Sequence, residues 1–249
     1  MVTEALGLRD VEAESVLSWY AAIVASVSEV TAGQPVTAAS TDAFGQLRAA
    51  LLGAIDRGSS LLSEVARGPD SLGSEEIVSN AAVLMFGGID TTEGMILNVI
   101  RHVLADAEAL ELIGGDADLL PAAIEESTRL EPAAAVVDRY ATRDVELGGA
   151  RIRKGDLVTV SIAGANRDPT VFTEPDRFDI RRENARLNLA FAQGPHFCLG
   201  AHLARTETAI AVRRLLDRLP GLRLDRDHPN GPRGLVFRKP PALYVRWGN

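Results

Sequence analysis

The single cysteine of the chain, Cys198, lies in a segment whose residue types could support nucleophilic or metal chemistry. A turn is predicted at Gly194-Pro195, and a helix is expected to begin near the cysteine. Because the unsatisfied N–H groups at a helix start favour an anion, the thiol should ionise easily. Three interpretations are open: an inert buried thiol, a nucleophile with His202 as its base, or a zinc site with His196 and His202.

A second unusual segment, residues 86–93, reads Phe-Gly-Gly-Ile-Asp-Thr-Thr-Glu in the middle of a long helical pattern. Asp and Thr are poor residues for a helix interior, and each glycine costs about 1 kcal/mol relative to alanine. Such violations of local rules are expected where function requires them. The alternatives are a helix crossing that needs small residues, or two helices separated at Gly87-Gly88.

Two further features could act through charge. Glu126 and Arg129 are spaced i, i+3, which places a carboxylate and a guanidinium on one face of a predicted helix. If that pair is exposed, it contributes only a few tenths of a kcal/mol. Arg139 lies on a predicted strand, where it is either a surface residue or the donor of a charge-assisted hydrogen bond to an anion.

Helices are the elements predicted to position most of these residues. Apolar residues recur at helical spacing over 11–29, 44–67, 74–106 and 119–130. Ser74 is a candidate N-cap, followed by two acidic residues that suit the helix dipole. A last helix should run from near Cys198 to residue 219, where Pro220-Gly221 ends it.

Short strands are predicted after Pro132, where glycine-rich turns separate apolar runs. The expected strands are 136–140, 145–147, 151–153, 157–162, 235–237 and 243–245. The sequence therefore predicts a mainly α fold with a minor β portion.

Composition is typical of a globular protein, with 46% hydrophobic and 24% charged residues in a chain of 249. The net charge of −8 is uneven, since residues 1–136 carry 21 acidic and 6 basic residues and residues 137–249 carry 13 acidic and 20 basic ones. A basic half favours an anionic ligand or an acidic partner, whereas scattered basic residues and few aromatic ones do not favour nucleic acid.

A cytoplasmic location is expected from three observations. One cysteine excludes an intrachain disulfide and indicates a reducing compartment. The N-terminus lacks the pattern of a signal peptide, and the apolar run 81–89 is too short to span a bilayer.

Residues 191–200 resemble the haem-ligand signature of cytochromes P-450. Its fixed positions are filled by Phe191, Gly194, His196, Cys198 and Gly200. The resemblance implies that Cys198 is the axial thiolate ligand of a haem iron, which favours cleavage of the O–O bond. It also makes His196 a partner of a haem propionate and places the ring of Phe191 beside the sulfur.

Residues 87–91 resemble the oxygen-binding groove of the distal helix in that family. The resemblance implies that Gly88 leaves room for haem and that Thr91 donates a hydrogen bond to dioxygen. Asp90 would relay protons together with water. Arg139 matches the strand arginine that meets a haem propionate.

The Glu126–Arg129 pair, followed by Leu130 and Pro132, resembles the structural ion pair of the family, although Glu131 stands where a second proline is more usual. Residues 175–178, Pro-Asp-Arg-Phe, resemble the segment that supplies a second arginine to that pair. By this resemblance Arg177 completes a buried network that holds the cysteine segment in place.

The five motifs occur in the order of the family, with a confident match over 74–249 and a loose one over 1–73. The resemblance therefore implies one haem-binding domain over 1–249, lacking the N-terminal helices of the family, with heme b (iron protoporphyrin IX) as cofactor. It implies a monooxygenase that acts on a small apolar substrate without a membrane or nucleic acid. Its electrons would come from a ferredoxin or another acidic donor that meets Arg205, Arg213, Arg214 and Arg218.

Two alternatives to a complete monooxygenase stay open. Because the usual N-terminal part of the family is not recognisable, the chain could be a non-catalytic remnant, or it could depend on an N-terminal partner chain. A cysteine hydrolase that uses Cys198 and His202 is the more distant alternative.

Overall fold

A computed structural model describes residues 2–31, 34–58, 60–68 and 71–248 of the chain. The chain divides into two compact units, Met1–Ile89 and Asp90–Asn249. Helices predominate over small antiparallel sheets in the described residues, so the predicted mainly α fold with a minor β portion is confirmed. The interpretation of residues 1–249 as one haem-binding domain stays a prediction.

The described residues of the first unit form four helices and the beginning of a fifth: α1 (Val2–Ala5), α2 (Ala13–Thr31), α3 (Ala38–Asp56), α4 (Leu61–Arg67) and α5 (Ser74–Ala105). Its core contains Leu8, Val16, Leu47, Leu51 and Val78, all buried to 3% exposure or less. Leu47 and Leu51 are four residues apart on α3, the spacing by which the sequence pattern identified this helix.

The single helix predicted over 44–67 is wrong, because α3 and α4 are separate. Helix α3 ends at Asp56, and Gly58 just after it adopts a left-handed φ of +77°. Ser60 then caps α4: its hydroxyl accepts the N–H of Ser63 at 3.2 Å, and the Ser63 hydroxyl accepts the N–H of Ser60 at 2.9 Å. This reciprocal capping box starts a new helix.

Helix α5 runs unbroken through Gly87-Gly88, so the alternative of two helices at that point is wrong. Ser74 is its first residue rather than its cap, and the Glu76 carboxylate accepts the N–H of Gly73 at 2.8 Å. By length and composition α5 could cross a membrane, a test that core helices of globular proteins also pass. Its apolar residues are buried in the cores of both units, at Ile77, Val78, Ala81, Met85, Met95, Val99, Ile100 and Val103.

The second unit contains the rest of α5 and the helices α6 (Ala107–Gly115), α7 (Leu120–Leu130), α8 (Ile162–Ala165) and α9 (Ala201–Arg218). Helix α6 was not predicted; it begins where the Asp106 carboxylate accepts the N–H of Ala109 at 3.0 Å. The core of this unit joins α5, α6, α7 and α9 through Val99, Ile113, Ala123 and Val212.

Three antiparallel strand pairs complete the second unit: β1 (Val136–Tyr140) with β4 (Leu157–Ser161), β2 (Val145–Leu147) with β3 (Ala150–Ile152), and β5 (Arg223–Leu224) with β6 (Val245–Arg246). The turn between β2 and β3 is Gly148-Gly149, with φ of +57° and +79°, as a tight hairpin requires. The strand predicted over 235–237 is wrong, since Phe237 makes only an isolated bridge with Ala134.

Candidate functional site

The Cys198 thiol is exposed, which contradicts the interpretation of an inert buried cysteine. The residue follows a 3-10 turn at Gly194–His196 and lies two positions before Gly200, the N-cap of α9. Its backbone is fixed on both sides, because its N–H donates to the Phe191 carbonyl at 2.8 Å and its carbonyl accepts the N–H of Ala201 at 3.2 Å. A loop held at both ends therefore presents the sulfur at the surface.

The residues on either side of Cys198 in the sequence are apolar and exposed. Phe197 is 56% exposed and Leu199 is 82% exposed. A Cβ built on Gly200 would have the Cys198 sulfur as its neighbour, at 4.0 Å, so a side chain there would cover part of the thiol. An exposed thiol between exposed apolar residues suits an apolar ligand that carries a metal.

The zinc interpretation is wrong for the residues that the structure describes, because they form no cluster of three side chains able to hold a metal ion. His196 and His202 are both exposed. The nucleophile interpretation also lacks support, since the hydrogen bonds of the described residues include none between the Cys198 thiol and His202. One sulfur ligand with apolar surroundings fits haem better than zinc.

Phe191 is held by a contact that the sequence did not indicate. The guanidinium carbon of Arg205 lies 4.2 Å from the centre of its ring. Arg205 in turn donates to both carboxylate oxygens of Glu125, at 2.5 and 3.3 Å. An internal carboxylate therefore binds Arg205, and its contact with an acidic electron donor stays a prediction.

The Glu126–Arg129 pair is buried, with both side chains fully inaccessible. Two N–H groups of Arg129 bind the Glu126 carboxylate at 2.8 and 2.9 Å. The others donate to the carbonyls of Asn166 and Pro175, each at 2.8 Å, and of Arg177 at 3.2 Å. All five donors of the guanidinium are thus satisfied, which is the condition under which a buried charge is tolerated.

The arginine that completes this network is Arg182, so the prediction for the Arg177 side chain is wrong. Arg182 donates to Glu126 at 2.9 Å and is only 8% exposed, and it also binds the Thr173 carbonyl at 2.7 Å. The Arg177 side chain is 61% exposed and meets Glu174 at 3.4 Å. Arg177 contributes only its carbonyl, because its side chain points away from the buried carboxylate.

On α5, the Asp90 carboxylate accepts a hydrogen bond from the ammonium of Lys239 at 2.6 Å. The same ammonium binds Glu93 one turn further along the helix, at 2.5 Å. Burial lowers the pKa of Lys239, but the hydrogen bonds to Asp90 and Glu93 raise it more, so this pKa lies above its usual range. Asp90 therefore has a permanent cation beside it, while Thr91 is the next residue on the helix.

Two glycines of α5 have packing reasons to be small. A Cβ on Gly88 would lie 3.1 Å from Cγ2 of Val2, which agrees with the alternative of a crowded helix packing. A Cβ on Gly94 would lie 3.2 Å from Cβ of Ala133 and 3.4 Å from Cβ of Lys239. Gly94 therefore permits the close approach that brings Lys239 to α5.

Arg139 lies on β1 opposite Val158 and is exposed. Its guanidinium donates to the carbonyl of Asp138 at 2.8 Å. Among the described residues no carboxylate forms an ion pair with it, which leaves the charge of Arg139 available for an external anion.

The sequence model of the cytochrome P-450 family matches residues 115–245, which is more than half of the chain. The chain belongs to the cytochrome P-450 family. It is 36% identical over 236 residues to cytochrome P-450 107B1 of Saccharopolyspora erythraea, which covers 90% of this chain and 55% of that protein. It is 41% identical over 201 residues to the cytochrome P-450 monooxygenase PikC of Streptomyces venezuelae, which covers 76% of this chain and 47% of that protein.

The fold matches solved cytochromes P-450 over nearly its whole length. The crystal structure of P-450BioI in complex with an acyl carrier protein ligated to hexadec-9Z-enoic acid has a TM-score of 0.86 and 30% identity, and the match covers 99% of this chain and 65% of that one. The chain spans about half the length of the two curated relatives described above.

The region that matches the cytochrome P-450 family model includes Glu126, Arg129, Arg139 and the whole cysteine segment. It begins after Asp90 and Thr91, whose assignment depends on the resemblance of residues 87–91. Sequence reasoning missed or misassigned four residues that bind these groups: Glu125, Arg182, Arg205 and Lys239. The sequence marks these residues only by their charge. A single sequence does not show which residue of opposite charge, far away in the chain, each of them will bind.

Proposed function

We propose that this chain is the haem-binding, oxygen-activating part of a monooxygenase that inserts one oxygen atom from O2 into a small organic substrate. The observation that carries the proposal is the exposed Cys198 thiol, on a residue whose backbone N–H and carbonyl are both hydrogen-bonded. Family membership makes haem the group that fits this donor set. Heme b, when bound, supplies the redox and oxygen-activating chemistry.

Cys198 is proposed as the residue that would bind the haem iron, since its thiol is exposed and its thiolate would be a soft donor. Gly200 keeps the sulfur uncovered, and Gly194 turns the loop toward it. We assign His196 and Arg139 to the haem propionates, because both are exposed and can bear a positive charge. Phe191 is assigned to the side of the sulfur, since its carbonyl binds the Cys198 N–H.

Thr91 and Asp90 are proposed to deliver protons during oxygen activation, and Gly88 to leave room for the ligand beside them. A hydroxyl and a carboxylate on adjacent residues can hold and pass a proton through water. The ammonium of Lys239 binds the Asp90 carboxylate at 2.6 Å, so this ion pair would have to open before Asp90 could take part in the relay.

The electron donor is proposed to be a ferredoxin or another acidic protein, and the substrate a small apolar compound. An apolar substrate agrees with the fatty acid carried in the P-450BioI complex. We also propose a cytoplasmic location, since the lone cysteine suits a reducing compartment.

A carbon monoxide difference spectrum tests the proposal. The purified chain is reconstituted with haemin, reduced and exposed to carbon monoxide, and it should give the strongly red-shifted Soret band of thiolate-ligated haem. Cys198→Ala should lose that band, whereas the control His202→Gln should keep it. Failure of the wild-type chain to take up haem would overturn the proposal, and product formation with a ferredoxin and its reductase would exclude a non-catalytic remnant.

A further inference from the structure

We propose that Arg205 is a positioning residue that fixes the cysteine segment through the Phe191 ring. The inference rests on the proposed haem function but concerns a residue outside the assigned ligands. Arg205 lies on α9, one turn after the N-cap Gly200. From there it reaches back over the segment that carries Cys198.

The first contact joins Arg205 to a rigid support. Its Nε donates to Oε1 of Glu125 at 2.5 Å, and a second nitrogen donates to Oε2 at 3.3 Å. The Glu125 side chain is 9% exposed and lies on α7, next to the buried Glu126. Asn188 also donates to Glu125, at 3.4 Å. A forked bond to a buried carboxylate fixes the plane of the guanidinium.

The second contact joins the guanidinium to Phe191. The 4.2 Å separation between the Arg205 guanidinium carbon and the ring centre is within the range of a cation–π contact. Phe191 also packs against the core of the second unit, so the residue contacts both this core and the arginine. Because the Phe191 carbonyl accepts the Cys198 N–H at 2.8 Å, a ring held in place also holds the cysteine backbone.

These contacts form a continuous path from α7 to the proposed ligand: Glu125, Arg205, Phe191, Cys198. The path differs from the Glu126–Arg129–Arg182 network, which binds backbone carbonyls of residues 166–177 instead. Partners that orient a metal ligand without touching the metal typically change metal affinity by about 10- to 100-fold when they are lost. Arg205 is therefore expected to act on haem retention.

The test uses the full chain with two measurements. In the haem-loaded protein, Arg205→Met should accelerate haem dissociation by about 10- to 100-fold and reduce the share of the carbon monoxide complex with the red-shifted Soret band. Arg205→Lys should fall between Arg205→Met and wild type, because lysine keeps the charge but not the fork or the flat stacking surface. Arg213→Met is the matched control, since Arg213 lies on the same helix in an exposed pair with Asp217.

A double-mutant cycle tests the path itself. If Arg205 acts through the ring, Arg205→Met combined with Phe191→Leu should release haem no faster than Phe191→Leu alone. Fully additive effects would overturn the inference. Unchanged haem retention in Arg205→Met would also overturn it.

The second measurement does not need haem. Amide hydrogen exchange of the unloaded chain should be faster at Cys198 in Arg205→Met than in wild type, with no change at Val212 in the middle of α9. Unchanged exchange at Cys198 would contradict the positioning role. If the wild-type chain binds no haem, the proposed function fails while this measurement still decides the role of Arg205.

Discussion

At the scale of single residues, two backbone conformations shape the cysteine segment. Gly194 has a φ of +71° and Ala192 a φ of +57°. Glycine tolerates this left-handed backbone conformation, whereas it costs a residue with an L side chain about 1–2 kcal/mol. The turn at Gly194-Pro195 was predictable from residue type. The strained Ala192 was not, because nothing in alanine favours a positive φ and only the surrounding contacts impose it.

Substitutions at these two positions should have opposite effects on stability. Gly194→Ala should lower the free energy of unfolding by about 1–2 kcal/mol, since the cost is backbone strain. No atom lies within 4 Å of the added Cβ, so a clash does not contribute. Ala192→Gly should leave the stability unchanged or raise it by less than about 1 kcal/mol. Urea unfolding of the chain measures both.

Gly45→Ala is the control for this pair of substitutions, because Gly45 lies inside α3 with open space around it and no positive φ. There alanine should stabilise by up to about 1 kcal/mol through helix propensity. The same loss of stability at Gly45 as at Gly194 would contradict the assignment to backbone strain.

At the scale of elements, α7 is tied to the segment after α8 by one buried network. The spacing of Glu126 and Arg129 identified the pair, but neither its burial nor its third member could be predicted from that spacing. Arg177 and Arg182 lie five residues apart in an irregular segment. The turns of that segment decide which side chain reaches Glu126, and no periodic pattern encodes them.

The two arginines of that segment give a direct test. Arg182→Ala removes one partner of a buried carboxylate and should destabilise the protein by about 3–5 kcal/mol. Arg177→Ala removes an exposed pair and should change the free energy of unfolding by less than about 1 kcal/mol. Thermal and urea unfolding of both variants measure the difference. If Arg182→Ala fails to fold, Arg182→Lys gives a smaller loss for the same comparison, and equal effects at the two positions would contradict the network.

Other elements show what local patterns can and cannot specify. Strands β1 and β2 begin and end at the predicted residues, because glycine and charged turns bound their apolar runs. The run at 235–237 has the composition of a strand, but it lacks a continuous partner and forms a single bridge at Phe237. A strand needs a neighbour, and neighbours far apart in sequence cannot be read from the run itself.

At the scale of the whole molecule, the uneven charge along the sequence is partly neutralised inside the second unit. Basic residues of the C-terminal half bind acidic residues between 90 and 131. These pairs include Arg182–Glu126, Arg205–Glu125, Arg238–Glu131 and Lys239–Asp90. The charge asymmetry that suggested an acidic partner thus also reflects long-range ion pairs within the fold.

Stability as a function of pH should depend on the buried His102. This residue is 6% exposed, its ring stacks on Phe178 at 5.1 Å, and its Nδ1 lies 2.8 Å from the Ser127 hydroxyl. Arg101 reaches its Nε2 at 2.6 Å, which requires a neutral ring that accepts this bond. Burial, followed by the nearby charge of Arg101, lowers the pKa of His102 from 6.5 to about 3.

The unfolded chain therefore binds a proton at His102 between pH 3 and 6.5 that the folded chain does not bind. The stabilisation is fully present above pH 6.5 and is lost as pH falls through that interval, by about 1.4 kcal/mol per pH unit. Urea unfolding between pH 5 and 7.5 should show this slope. The carboxyl pKa values of Asp144, Asp168 and Asp225 are lowered in the folded protein. These groups therefore change the stability only below about pH 4, outside the measured range.

His102→Gln cannot titrate and should lose this slope, although the variant will be less stable overall. His202→Gln, which removes an exposed histidine from α9, should retain it. If His102→Gln does not fold, the imidazole NMR signals of the wild-type protein provide the same test, because His102 should remain neutral at pH 5. A folded protein whose His102 gains a proton near pH 6.5 would contradict the prediction, since the ring could then no longer accept the bond from Arg101.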